Sequence, residues 1–195
     1  MGADEGGSMH AEGQFRASGW RGREVEILRP EGQRGPALLE FKGGLTTSFK
    51  VHALYRSTTR KLLGEELLYS YGPRVRRVLL PAQYNRVEIR RVKPSRTSGT
   101  GFSRWRLRTL NAADLPRLAD TLSGKHETLV YFDGHTRVSF AWLGDTEYGE
   151  LHFTPEAGGE AEQLTRHDQI RGTVTVPGDG LLAVRRSDKW TLERQ

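Results

Sequence analysis

The sequence predicts an all-β protein built from two similar antiparallel β-sandwich repeats of jelly-roll-like type, joined by a short helical connector. Short segments alternate apolar and polar residues with period two, as in REVEIL (23–28) and SFKVHAL (48–54). Gly, Pro, Ser and Asn separate these segments, which is typical of turns between short strands. The same series of motifs also occurs twice along the chain, which predicts a duplicated domain.

The elements follow in order along the chain. Residues 1–17 are rich in glycine and acidic residues without any period, and we expect a flexible tail. Strand patterns follow from residue 23 to residue 110. Two stretches have the composition of helical turns, Thr59–Leu68 and Asn111–Leu122. In the second, Asp114 is a candidate N-cap and Pro116 falls in the first turn, so we predict a helical connector over 111–122.

The second half repeats the motifs of the first. The aligned pairs are Gly44–His52 with Gly144–His152, Pro81 with Pro177, Val87–Arg91 with Leu182–Arg186, and Trp105 with Trp190. The first repeat then spans 18–110 and the second 123–195, and the first carries an insert at about 93–102. Trp105 and Trp190 are expected in the two cores, on the last strand of each repeat.

Several motifs of the first repeat form a recognisable pattern. They are Ser18-Gly19, Phe49 to Leu54, Leu67-Leu68, Gly72-Pro73, Val78 to Leu80, Glu88-Ile89 and Trp105-Arg106-Leu107. This pattern resembles an uncharacterised β-sandwich module common in actinobacterial proteins, and the resemblance covers nearly all of 18–194. It implies the fold and assigns no activity. The chain departs from the module by carrying arginine at positions 76, 90 and 91.

Composition excludes several classes of function. The 195 residues include no cysteine, which excludes disulfides and thiolate chemistry. No nucleophile elbow or phosphate-binding loop occurs, and the six histidines lack a metal-ligand spacing, so we expect no enzyme activity, cofactor or metal site. Neither a secretory signal nor a long apolar run is present, which favours a soluble, cytoplasmic protein without a membrane segment.

The charge is concentrated in one segment. The chain carries a net charge of +6, yet residues 74–108 hold eleven Arg or Lys and one acid, Glu88. If RVEIR (86–90) and RWRLR (104–108) pair as a hairpin, period-two geometry places five arginines on one outer face: Arg86, Arg90, Arg104, Arg106 and Arg108. Flanking cations extend the candidate site: Arg74, Arg76, Arg91, Lys93 and Arg96.

Like charges that face each other across strands destabilise a sheet unless an anion neutralises them. The arginine-rich face therefore predicts a non-catalytic binding or assembly module that contacts an acidic protein surface or a second copy of the chain. Nucleic acid is the alternative partner for the same face. A sandwich that binds carbohydrate or a small ligand is a third hypothesis, which requires an exposed tryptophan such as Trp20 or Trp142.

Overall fold

The computed structural model describes residues 15–29, 35–45, 47–92, 104–144, 148–166 and 168–195. The chain divides into two compact units, Met1–Asn111 and Ala112–Gln195. Within the described ranges the regular structure consists of β-strands and one 3-10 turn, and every strand-to-strand pairing is antiparallel. The predicted all-β class is confirmed.

The first unit contains eight strands in two sheets. They are β1 (Arg16–Gly19), β2 (Arg23–Glu26), β3 (Ala37–Lys42), β4 (Phe49–Arg56), β5 (Lys61–Ser70), β6 (Val75–Leu80), β7 (Arg86–Arg91) and β8 (Trp105–Leu110). Sheet 1 has the order β1-β8-β3-β6, and sheet 2 has the order β2-β7-β4-β5. Strand β1 begins at Arg16. Sheet 1 therefore starts two residues before the predicted start of the first repeat at residue 18, within the predicted tail.

A sandwich core lies between these two sheets. Sheet 1 contributes Phe41 and Trp105, and sheet 2 contributes Phe49, Val51 and Val87, all of which are fully buried. These residues occupy alternate positions of their strands, which is how period-two patterning directs one face of each sheet inward.

The second unit also contains eight strands in two sheets. They are β9 (Thr121–Lys125), β10 (Thr128–Phe132), β11 (Thr136–Trp142), β12 (Glu150–Pro155), β13 (Glu162–Gln163), β14 (Arg171–Val176), β15 (Gly180–Arg185) and β16 (Lys189–Arg194). Sheet 3 has the order β9-β16-β11-β14, and sheet 4 has the order β10-β15-β12-β13. Counted from the start of each unit, the strand order is the same in both.

Each unit buries one tryptophan of its last strand against a glycine of its first strand. Trp105 lies opposite Gly19, and Trp190 lies opposite Gly124. A Cβ atom on Gly124 would come within 2.2 Å of the Trp190 ring, so only glycine fits there. The Trp105 indole donates a hydrogen bond to the Arg21 carbonyl at 2.8 Å, and that of Trp190 donates one to the His126 carbonyl at the same distance. The expected core role of both tryptophans is confirmed.

The two predicted helical stretches are wrong. Thr59–Leu68 largely forms β5, which pairs with β4, because pairing in the sheet outweighs local helical composition. In the connector the only helical residues are the single 3-10 turn Ala112–Asp114. The chain after this turn runs beside β10: the Pro116 carbonyl accepts a hydrogen bond from Tyr131, and the Leu118 amide donates one back to Tyr131. These cross-chain bonds replace those of a helix.

Candidate anion-binding face

The predicted arginine hairpin does not form. Strand β7 pairs with β2 and β4 in sheet 2, whereas β8 pairs with β1 and β3 in sheet 1. The five arginines assigned to one face therefore lie on opposite outer faces of the sandwich. Alternation along each strand correctly directed them outward, but alternation carries no information about which sheet a strand joins.

The arginines of β8 lie within a larger basic face on sheet 1. Residues directly opposite in an antiparallel pair lie on the same side of the sheet. One row across all four strands is Arg16, Arg108, Glu40 and Arg77, and the next row is Ser18, Arg106, Lys42 and Val75. Arg104, which precedes β8, donates a hydrogen bond to the Ser18 hydroxyl at 2.7 Å. We define the basic face as Arg16, Lys42, Arg77, Arg104, Arg106 and Arg108 around Glu40.

Glu40 is the one carboxylate in these two rows, and two arginines hold it. Arg108 Nε donates to one carboxylate oxygen at 2.7 Å, and Arg77 Nε donates to the other at 3.1 Å. The Glu40 side chain is only 13% exposed. This burial raises the pKa of Glu40, but the hydrogen bonds and charges of Arg108 and Arg77 outweigh it, and the pKa lies below its ordinary 4.5.

The lowered pKa of Glu40 predicts a pH-dependent contribution to stability. The carboxylate stabilises the fold fully above the pKa of the unfolded chain, and this contribution is lost as the pH falls through the lower folded-state pKa. We expect Glu40→Gln to reduce the free energy of unfolding at pH 7 by about 1–2 kcal/mol, with the deficit shrinking below pH 4.5. Hydrogen exchange of the β3 and β8 amides measures this.

The control for that variant is Glu65→Gln, a change at an exposed position of β5. We expect the exchange of the β3 and β8 amides to stay as in the parent chain. Equal protection in the Glu40 variant and the parent at pH 7 would show that the two arginine contacts contribute nothing to stability.

The outer face of sheet 2 is neutralised, unlike the basic face. Its five cations each form an ion pair with a glutamate: Lys50 with Glu66, Arg56 and Lys61 with Glu24, Arg86 with Glu26, and Arg90 with Glu88. Hydrogen bonds from Lys61 and Arg56 lower the pKa of Glu24. We call this set of nine residues the paired face.

On the basic face, by contrast, four cations form no ion pair with any other residue in the described ranges: Arg16, Lys42, Arg104 and Arg106. All four are exposed. The two sides of one sandwich thus differ in charge balance, with six cations to one carboxylate on sheet 1 and five cations to four carboxylates on sheet 2.

The two equivalent rows of sheet 3 carry no excess of positive charge, because they contain one cation, Arg171, at the position of Val75, and one acid, Glu193. Strand order and register place Thr121, Ala141, Thr173, Thr191 and Glu193 where the first unit has Arg16, Lys42, Arg77, Arg106 and Arg108. Only Arg104 has a cationic equivalent, Lys189. Other cations of sheet 3, such as Arg137 and Arg171, occupy different positions. Neither strand order nor burial therefore requires arginine at the positions of the basic face.

The remaining predicted site residues lie apart from the basic face. Arg86, Arg90 and Arg91 belong to β7 of sheet 2, and the first two are in the paired face. Arg76 of β6 lies opposite the buried Phe41 of β3, and therefore on the inward side of sheet 1. Arg74 is exposed just before β6. Lys93 and Arg96 lie outside the described residues.

Three members of the basic face were missed by the sequence reasoning: Arg16, Lys42 and Arg77. Arg16 lies within the predicted tail, 1–17, and Lys42 and Arg77 were not among the predicted site residues. The pairing of four strands brings these three residues next to the arginines of β8, and a local sequence pattern does not predict which strands pair.

The structure also gives the exposure of the tryptophans and the polar neighbours of two histidines. Trp142 is 2% exposed, whereas Trp20 is 49% exposed. His152 lies 3.1 Å from Glu150, and His135 lies 3.1 Å from the Pro177 carbonyl. The described residues contain no group of three or more His, Asp or Glu arranged to hold a metal ion, and no apolar helix as long as a membrane crossing requires.

Comparison with known proteins gives no family. No protein-family model matches the chain, and no curated protein does. Among solved structures, a protein from Eubacterium rectale aligns at 10% identity over 92% of this chain and 67% of that chain, with a TM-score of 0.28. The CUB1-EGF-CUB2 region of human MASP-1/3 aligns at 10% identity over 99% and 97%, and that of rat MASP-1 at 10% over 94% and 98%, both with a TM-score of 0.26. Scores of this size support no inference about fold or function.

Proposed function

We propose that the chain is a non-catalytic binding module whose first unit contacts an anionic partner through the basic face. One observation carries this proposal: six cations surround one carboxylate on sheet 1, while only one of those six positions, that of Arg104, holds a cation on sheet 3. Like charges on adjacent strands cost stability, and an anionic ligand would offset that cost. Arginine also offers paired donors to carboxylate and phosphate oxygens.

Glu40 supports the proposal by fixing the geometry of the face. Its two oxygens hold Arg77 and Arg108 in place, which reduces the side-chain entropy that these arginines lose on binding. Arg106 and Lys42 lie opposite each other in the next row and are exposed. The face thus combines two fixed cations with others that are free to reach a ligand.

The same strand order in both units supports a further proposal about origin. We propose that the units are tandem copies of one jelly-roll module and that the basic face arose in the first copy alone. The order 1-8-3-6 and 2-7-4-5, counted within each unit, is that of an eight-stranded jelly roll with two Greek keys. The tryptophan–glycine pair at the same position in both units is consistent with this origin.

Matched double variants test the binding proposal. Arg106→Gln with Lys42→Gln removes two charges from the basic face, and Lys50→Gln with Arg90→Gln removes two from the paired face. Each protein is titrated at low salt with labelled oligothymidylate, heparin and polyglutamate, and its self-association is measured by sedimentation. We expect the first variant to lose at least about tenfold in affinity for the bound partner and the second to lose less than about threefold.

The outcomes distinguish binding through the basic face from binding that depends only on the net charge of the chain. Equal losses in both variants would show that binding follows net charge and not the basic face. Failure of the parent chain to bind any polyanion at low salt, together with a monomer at high concentration, would contradict the proposed function. Concentration-dependent mass that the first variant abolishes would identify a second copy of the chain as the partner.

A further inference from the structure

We infer that the ligand of the basic face is single-stranded nucleic acid, with its phosphates on the cations and a base stacked on Trp20. This inference rests on the proposed function and names the partner of the same face. Three observations carry it: the spacing of the cations, the exposure of Trp20 beside them, and the arrangement of charged and aromatic groups.

The cations are spaced for a chain of phosphates. Neighbouring strands lie about 4.8 Å apart, so the row from Arg16 to Arg77 extends about 14 Å across sheet 1. Residues two apart on β8, such as Arg106 and Arg108, are separated by about 6.8 Å. In a duplex each strand carries one charge per about 3.4 Å of helix axis, and a single strand is more extended, so a row of this length faces at most about four phosphates.

Trp20 is the exposed indole of the described chain, and it borders the basic face. The other three tryptophans are at most 3% exposed. Trp20 directly follows Gly19, the last residue of β1, which is an edge strand of sheet 1, and its side chain is 49% exposed. Arg104 hydrogen-bonds to the Ser18 hydroxyl, and Arg104 and Trp20 each lie one residue beyond the last register pair of β1 and β8, Gly19 with Trp105. Bases of a single strand stack on exposed aromatic rings that border a positively charged surface.

The arrangement of these groups favours a single strand over an acidic protein. Stable protein interfaces concentrate aromatic and apolar residues at the centre, where arginine is enriched but lysine and acidic residues are depleted. Here the charged rows occupy the centre and Trp20 lies at the edge. A duplex keeps its bases stacked inside and offers none to an indole on a flat sheet, whereas a single strand exposes both phosphates and base faces.

Tryptophan fluorescence and anisotropy test the inference on the full chain. The probes are labelled dT16, U16, the dT16·dA16 duplex, polyglutamate and inorganic polyphosphate, which has phosphates but no bases. We expect dT16 or U16 to quench the emission and bind more tightly than the other three. Trp20→Ala lowers affinity for the single strands roughly tenfold, Trp20→Phe retains most of it, and both leave affinity for polyphosphate unchanged.

The outcomes distinguish this inference from the proposed function. Equal affinity for polyphosphate and single strands, unaffected by Trp20→Ala, would overturn base stacking while the anionic-partner proposal stands. Tighter binding of the duplex or of polyglutamate would also overturn the inference. Absence of binding to all five probes would overturn the proposed function itself. If dT16 and U16 differ, the tighter of the two identifies DNA or RNA as the ligand.

Discussion

Charge reversal at Arg106 and Lys42 is expected to weaken binding of a single-stranded oligonucleotide by at least about a hundredfold at about 50 mM salt. Each phosphate contact releases counterions, so the logarithm of the affinity falls by about 0.7 per contact for each tenfold rise in salt. At about 50 mM salt, one contact therefore raises the affinity about tenfold relative to its value at about 1 M salt. The variant Arg106→Glu/Lys42→Glu removes two contacts and adds repulsion.

The salt dependence gives the same prediction a second readout. If about four phosphates contact the basic face, the slope of log affinity against log salt is about −3 for the parent chain and about 1.4 units shallower in the double variant. Lys50→Glu/Arg90→Glu on sheet 2 is the matched control and should leave the slope nearly as in the parent. A slope unchanged by the Arg106/Lys42 reversal would place the phosphate contacts elsewhere.

Truncation of Trp105 is expected to have the largest effect on stability. The side chain is fully buried, stacks on Phe41 with ring centroids 6.5 Å apart, and lies under the Arg23 guanidinium at 5.4 Å. Its indole also satisfies the Arg21 carbonyl. Trp105→Ala leaves a cavity between the sheets, and we expect the free energy of unfolding of the first unit to fall by about 3–5 kcal/mol.

The control for this prediction is Trp20→Ala. Because Trp20 is half exposed, its truncation should change stability by less than about 1 kcal/mol. Hydrogen exchange of the β3 and β8 amides compares the two variants within the first unit. If Trp105→Ala reduces protection no more than Trp20→Ala does, Trp105 is not the centre of this core.

Local patterns predicted the strands well but not their partners. Alternation in REVEIL, SFKVHAL and RWRLR identified which residues face inward, because one buried face imposes period two on every strand. Strands β7 and β8 have equally clear alternation, yet they belong to different sheets. Which strands become neighbours depends on the packing of the whole sandwich, and no segment of sequence records it.

The same limit explains the errors in the predicted site. Glu88 was counted as the lone acid among the arginines, but β2 places Glu24 and Glu26 on the same face of sheet 2. Those carboxylates come from a segment about sixty residues earlier in the chain. Conversely, Arg16, Lys42 and Arg77 each look like an ordinary surface residue until register assembles them around Glu40.

NMR mapping of the bound surface shows directly which outer face of the first unit contacts the ligand. A single-stranded oligonucleotide is titrated into the isotope-labelled chain, and shifts of the arginine Nε–H and backbone amide signals are followed. We expect shifts at Arg104, Arg106, Arg108 and Arg77 and along β1, β3 and β8, with little change at Arg86 and Arg90. Shifts concentrated on β2, β4 and β7 instead would contradict the assignment of binding to the basic face.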